Sequence, residues 1–301
     1  MSALLGERNV FIDIHAHVRL YPSAPHHGRR IFPSPEELLR RYDQIGVEKG
    51  CLLPLVSPEV YEPQSNTEIL EVCRRHPDRF LPFCCFDPRG ITNSPDAPFG
   101  EWLSFYREQG CLGVGEFMPN LPWMDERVQN LLSHINAMGL ALIIDGKGRL
   151  GGTYGLYDDV GMPQMEASLQ RFPRLRILGH GPAFWAEIAK VEDNRDRQGY
   201  PDGPVREEGR VAGLMRQYDN LYGDLSAHSG YNALARDRDY AVQFVNEFQD
   251  RLLFGTDICA PDTPTPLAEF LLDLRDRGEI SDQVFNKVAR ENAVRLLGLS
   301  G

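Results

Sequence analysis

Short apolar runs recur along the chain, separated by longer stretches of helical periodicity, the alternation expected of βαβ units around a parallel sheet. Eight such runs stand out: Val10 to His17, Gly50 to Val56, Phe80 to Asp87, Cys111 to Met118, Leu140 to Lys147, Arg176 to Gly181, Leu221 to Ala227 and Leu252 to Asp257. Eight strands with helices between them predict an α/β fold of the closed (β/α)8 type, the TIM barrel. Helix punctuation agrees. Ser34-Pro35-Glu36-Glu37 and Ser65-Asn66-Thr67-Glu68 carry the S-x-x-E capping box. Gly46, Gly110 and Gly139 each close a helical stretch just before a strand, where a positive φ is needed.

No Gly/Ser- or Pro-rich linker divides the sequence, so residues 1–301 read as one barrel domain. The exception to the pattern is a charged insertion, VEDNRDRQGYPDGPVREE at 191–208, expected to form a long loop and a short helix. On a barrel such a loop rims the active face; the plainer alternative is a solvated excursion.

Composition limits the partners. Hydrophobic residues make up 42% and charged residues 25%, enough to bury a sizeable core. Against 43 Asp+Glu stand 32 Lys+Arg, a net charge of -11 that would repel nucleic acid and anionic membrane surfaces. A small-molecule substrate is the expected partner, with self-association left open. Cys51, Cys73, Cys84, Cys85, Cys111 and Cys259 lie mostly in apolar runs and read as buried free thiols. The first residues, Met1 to Asn9, lack a cationic leader with a long apolar stretch, and a cytoplasmic location is expected.

Candidate chemistry gathers at the ends of the strands. In Asp13-Ile14-His15-Ala16-His17, residues two apart on a strand share a face, so both histidines can converge on one ion. Their place at the C-terminal end of a barrel strand favours a metal pair over a structural one. His180, in Ile177-Leu-Gly-His-Gly-Pro182, would bring a third imidazole to the same face. Asp257 ends the last apolar run and offers a carboxylate ligand that can also accept a proton from water. Three imidazoles and a carboxylate suit one divalent ion, zinc being the expected metal.

His15-x-His17, the strand-end His180 with its glycine, and Phe254-Gly-Thr-Asp257 together resemble the metal site of the amidohydrolase superfamily. Leu221 to Leu234 followed by Leu252 to Pro261 is similar to the branch that includes aminocarboxymuconate-semialdehyde decarboxylase. The motifs cover essentially the whole chain in order. The resemblance implies a metal-dependent hydrolase of an amide, lactone or related ester, or else a nonoxidative decarboxylase of a small aromatic or unsaturated acid. It implies that His228 is a catalytic histidine beside the metal and that Asp257 is both ligand and base. A binding protein that kept the barrel without the chemistry is the alternative from a different class. Asp145 stands where many relatives carry a histidine, a departure from the decarboxylase pattern, and is expected to accept hydrogen bonds from a metal ligand or to bind a cationic group of the substrate. Glu116 and Asp224 are expected to orient the ligands, with Glu116 a bridging candidate should a second ion bind. Arg89 and Trp185 are candidates for gripping substrate, or simply for the surface and for helix packing.

Overall fold

In the computed structural model, which describes residues 10–60 and 62–299, the eight expected strands form a closed parallel barrel. The segment read for a leader lies outside the described residues. The barrel strands are β1 (Phe11–Ala16), β2 (Val47–Leu52), β3 (Phe80–Pro82), β4 (Gly113–Phe117), β5 (Ala141–Lys147), β7 (Arg176–His180), β8 (Leu221–Asp224) and β9 (Leu252–Leu253), and a two-residue strand, β6 (Leu156–Tyr157), is added on β5. Hydrogen-bonded ladders order them as β1-β2-β3 and β4-β5-β7-β8-β9. A few backbone hydrogen bonds close each seam, among them the Cys84 amide donating to Gly113 O at 3.1 Å and the Ile14 amide to Phe254 O at 3.0 Å.

Capping chemistry sets the helices as the sequence suggests, with one difference. Ser34 forms the full box: its Oγ accepts from Glu37 N at 3.3 Å, and Glu37 Oε2 accepts from Ser34 N at 2.8 Å. At Ser65 only half forms, because Glu68 turns away to accept from Leu20 N at 2.8 Å and ties the chain after β1 to the second helix. Gly46, Gly110 and Gly139 all take positive φ.

Two packed layers result. Inside the barrel Ile12, Ile14, Cys51, Leu53, Phe83, Ile143, Leu178 and Leu253 form an apolar plug, while a larger cluster lies between strands and helices. The plug excludes water below the mouth, so polar chemistry is confined to the C-terminal strand ends. Five of the six thiols are buried and Cys259 is half-buried. The insertion is a loop with one 3-10 turn, Asp196–Gln198, followed by the helix Arg210–Gln217. It is anchored by Arg197, 2% exposed, which ion-pairs with Glu187 at 2.8 Å and donates to Asp158 O at 2.7 Å. No helix of the described residues is long and apolar enough to cross a membrane.

Candidate metal centre and cavity

Two strand irregularities create the site. Along β1, Ile12 and Ile14 join the inner plug while Asp13 meets Tyr42 on the helix side, its Oδ2 accepting from the phenol at 2.7 Å. The register with β2 then shifts between Asp13 and Ala16, and His15 and His17 follow into the barrel mouth. The register of β4 against β5 shifts between Val114 and Phe117. Gly115 faces the interior, where an added Cβ would stand 3.0 Å from Ile143 Cβ, and Glu116 also faces the cavity. Bulge-like shifts of this kind re-aim side chains beside functional sites.

The imidazoles meet through their Nε2 atoms. His15 Nε2 lies 3.1 Å from His17 Nε2, and Glu116 Oε2 lies 3.5 Å from each. Asp257 Oδ1 is 3.3 Å from His17 Nε2, and His180 Nε2 is 3.8 Å from Glu116 Oε1. His15, Glu116 and His180 form one group able to hold an ion, and His15, His17 and Asp257 a second that shares His15. Each Nδ1 is engaged behind the cluster: His17 with Leu53 O at 2.9 Å, His15 with Asp224 Oδ2 at 2.7 Å, and His180 with Ser226 Oγ at 3.0 Å. An Nδ1–H donated to a carbonyl or carboxylate leaves the Nε2 lone pair facing the cluster, the tautomer a metal ligand requires. Two such lone pairs at 3.1 Å repel unless a cation or proton lies between them, so the donor set fits a divalent ion.

Electrostatics express the same demand for positive charge. Burial pulls the His17 imidazole down, but its bonds to Asp257 and Glu116 outweigh this and raise it to about 9. His15 is raised too: burial opposes, and the charges of Asp224 and Glu116 prevail. Glu116 is held well below the usual carboxylate range, against burial, by the charge of His15.

Below the cluster, Asp13 joins β1 to the end of β9. Its carboxylate accepts from His15 N at 3.0 Å, Thr256 N at 2.9 Å and Thr256 Oγ1 at 2.6 Å. Asp257 takes a left-handed φ of 50°, which carries its carboxylate over the mouth, and its amide donates to His15 O at 2.7 Å. The cavity above, about 170 Å³, is lined by apolar Phe32, Leu55, Val60 and Met118, with Asp145, Lys147, Tyr154 and Tyr200 completing it. Tyr200 comes from the charged insertion, so that loop does rim this face.

Of the residues singled out in the sequence, His15, His17, His180, Asp257, Glu116 and Asp224 come together. Asp145 borders the same cavity, and burial pushes its carboxyl up to about 6 against the charge of Lys147. Others are elsewhere. His228 is exposed on the first turn of the helix Ala227–Ala235, its ring 4.6 Å from that of Tyr200. Arg89 is committed to Glu59 at 2.6 Å and to Asp87 at 2.7 Å, leaving little of its guanidinium for a substrate. Trp185 is 1% exposed, and its Nε1–H donates to Asp224 O at 2.8 Å, fixing β8 from behind instead of walling the cavity. Lys147, treated in the sequence only as the end of a strand, lines the cavity; strand position and charge together could have flagged it.

The amidohydrolase family model matches residues 12–299. No curated protein matches the sequence. Among solved structures, the chain is similar to an uncharacterized TIM-barrel protein from Bordetella bronchiseptica, at 18% identity and TM-score 0.66, over 96% of this chain and 98% of that one. It is similar to 5-carboxyvanillate decarboxylase from Sphingomonas paucimobilis, at 17% identity and TM-score 0.62, over 96% and 99%. A probable 2-pyrone-4,6-dicarboxylic acid hydrolase from Acinetobacter baumannii, solved with citric acid bound, shares 14% identity at TM-score 0.58 over 96% and 99%.

Proposed function

The chain belongs to the amidohydrolase family, and on that footing we propose that it is a divalent-metal enzyme hydrolysing an amide, lactone or related ester of a small molecule. The observation that carries this reading is the convergence of three imidazole Nε2 atoms, each with Nδ1 engaged, on the carboxylates of Glu116 and Asp257. His15, His17, His180 and Asp257 are the proposed ligands, and Glu116, in contact with both His15 and His17, joins them. Nitrogen-rich donors with a carboxylate suit zinc. A divalent ion there would supply Lewis acidity, polarising a substrate carbonyl and acidifying water.

The protein's own groups do the rest. Asp257, the most exposed of the cluster carboxylates with 22% of its side chain accessible, can take the proton of attacking water. Asp224 and Leu53 hold the His15 and His17 rings in orientation, and the apolar wall of Phe32, Leu55, Val60 and Met118 restricts water around the reacting bond. Similarity to 5-carboxyvanillate decarboxylase favours one second reading. In it, the same centre holds an acid substrate and a proton replaces the departing carbon dioxide.

Turnover of a panel of lactones, amides and aromatic acids in heavy-oxygen water and in deuterium oxide tests the pair. Hydrolysis places heavy oxygen in the product carboxyl group. Release of carbon dioxide with deuterium on the vacated carbon would replace hydrolysis by decarboxylation. Retained metal with no turnover across the panel would favour the binding-protein alternative.

A further inference from the structure

The cavity holds a fixed ammonium. Lys147 closes β5, and among the described residues lining the cavity it is the one lysine or arginine. Its backbone is secured by β6, which pairs Lys147 with Tyr157, and by Asp158 N, which donates to Lys147 O at 3.1 Å. Its stem is secured as well. Gly155, at φ +105, approaches so closely that an added Cβ would stand 2.4 Å from Lys147 Cγ. The ammonium sits 4.9 Å from the centroid of Tyr154 and 3.4 Å from Asp145 Oδ2.

An ammonium has three N–H donors, and Asp145 and the Tyr154 face engage two at most. The third is left for a ligand in the cavity. Because the side chain is already ordered, a ligand meets it without the usual cost of immobilising a lysine. Away from the cluster imidazoles of His17 and His180, the charged lining is otherwise carboxylate, from Glu116, Asp145 and Asp257, which would turn an anionic group away. The rest of the wall is apolar, with the uncharged Tyr154, Tyr200 and Ser229.

Resting on the reading of this cavity as the active site, we propose that Lys147 determines specificity by binding a carboxylate of the substrate that is not the reacting group. The substrates are then small acids: an apolar body of modest size with one carboxylate held by Lys147 and its reacting group at the histidine cluster. Asp145 acts through Lys147, holding the ammonium in place.

Calorimetric binding of isophthalate and of its monoamide tests this, the pair having one shape and differing by one charge: with one carboxylate of each standing at the histidine cluster in place of the reacting group, the diacid presents a carboxylate to Lys147 and the monoamide an amide. Protein supplied with zinc should prefer the diacid by on the order of tenfold, the usual strength of a charge-assisted hydrogen bond. Lys147→Met should bind both ligands equally, and Lys147→Arg should recover most of the preference, which a merely structural lysine would not produce. Lys147→Gln takes the place of the Met variant if thermal melting shows the latter unfolded. Wild-type protein that fails to prefer the diacid, or a Met or Gln variant that keeps the preference, overturns the proposal. The catalytic reading fails by a different observable, the absence of retained metal, so the two failures remain distinguishable.

Discussion

Replacing Asp224 with asparagine should uncouple ligand orientation from ligand identity. Asp224 uses both oxygens as acceptors: Oδ1 receives Ser226 N at 3.0 Å, and Oδ2 receives His15 Nδ1 at 2.7 Å. An asparagine has one acceptor oxygen and one NH2 group, so it sets a donor either against the Ser226 amide or against His15 Nδ1–H. The second conflict is relieved by moving the imidazole proton to Nε2, the atom 3.1 Å from His17 Nε2 and facing the cluster. The first orientation keeps the Nε2 lone pair but sets a donor against Ser226 N and loosens the side chain that holds His15, whereas the second compromises the lone pair itself, and neither removes a proposed ligand. Loss of such an outer partner costs on the order of 10- to 100-fold in metal affinity, about 1.4–2.8 kcal/mol. Competition against a fluorescent zinc chelator reads this, with circular dichroism to establish that Asp224→Asn is folded. An unchanged affinity in a folded variant would refute the role given to Asp224.

Other outcomes follow from the same geometry. With metal removed, the raised His17 contributes stability that is complete below its unfolded value near 6.5 and is lost as pH climbs through about 9. Melting of chelator-treated protein should therefore fall between these values while zinc-loaded protein falls less, and parallel curves would contradict the assignment. Arg197→Met strands buried Glu187 and should cost about 3–5 kcal/mol in urea unfolding, a value near zero denying that the insertion is pinned there. His228→Ala, outside the cluster and exposed, should keep its metal and lose under about tenfold in turnover; a loss on the order of 100-fold would return proton transfer to His228.

The barrel is largely legible in the sequence because its signals are local. Each apolar run, each capping serine and each of Gly46, Gly110 and Gly139 constrains its own neighbourhood, and eight repetitions leave few closed arrangements. Histidines at strand ends can be placed at the mouth by the same logic. Glu116 is harder, since plain alternation cannot locate the register shift between Val114 and Phe117 beside which it faces the cavity. The two-residue β6 is too short to carry a period, and without it nothing marks Lys147 as held. Arg89 and Trp185 read as possible substrate contacts because sequence gives a side chain's chemistry but not its prior commitments, here to Glu59, Asp87 and the Asp224 carbonyl.

Elemental analysis of protein purified without chelators bears most directly on the proposed centre. About one divalent transition metal per chain is expected, held by the cluster of His15, His17, His180 and Asp257 with Glu116 beside them, and lost in His180→Ala. Metal-free protein that turns over a verified substrate at full rate would contradict it.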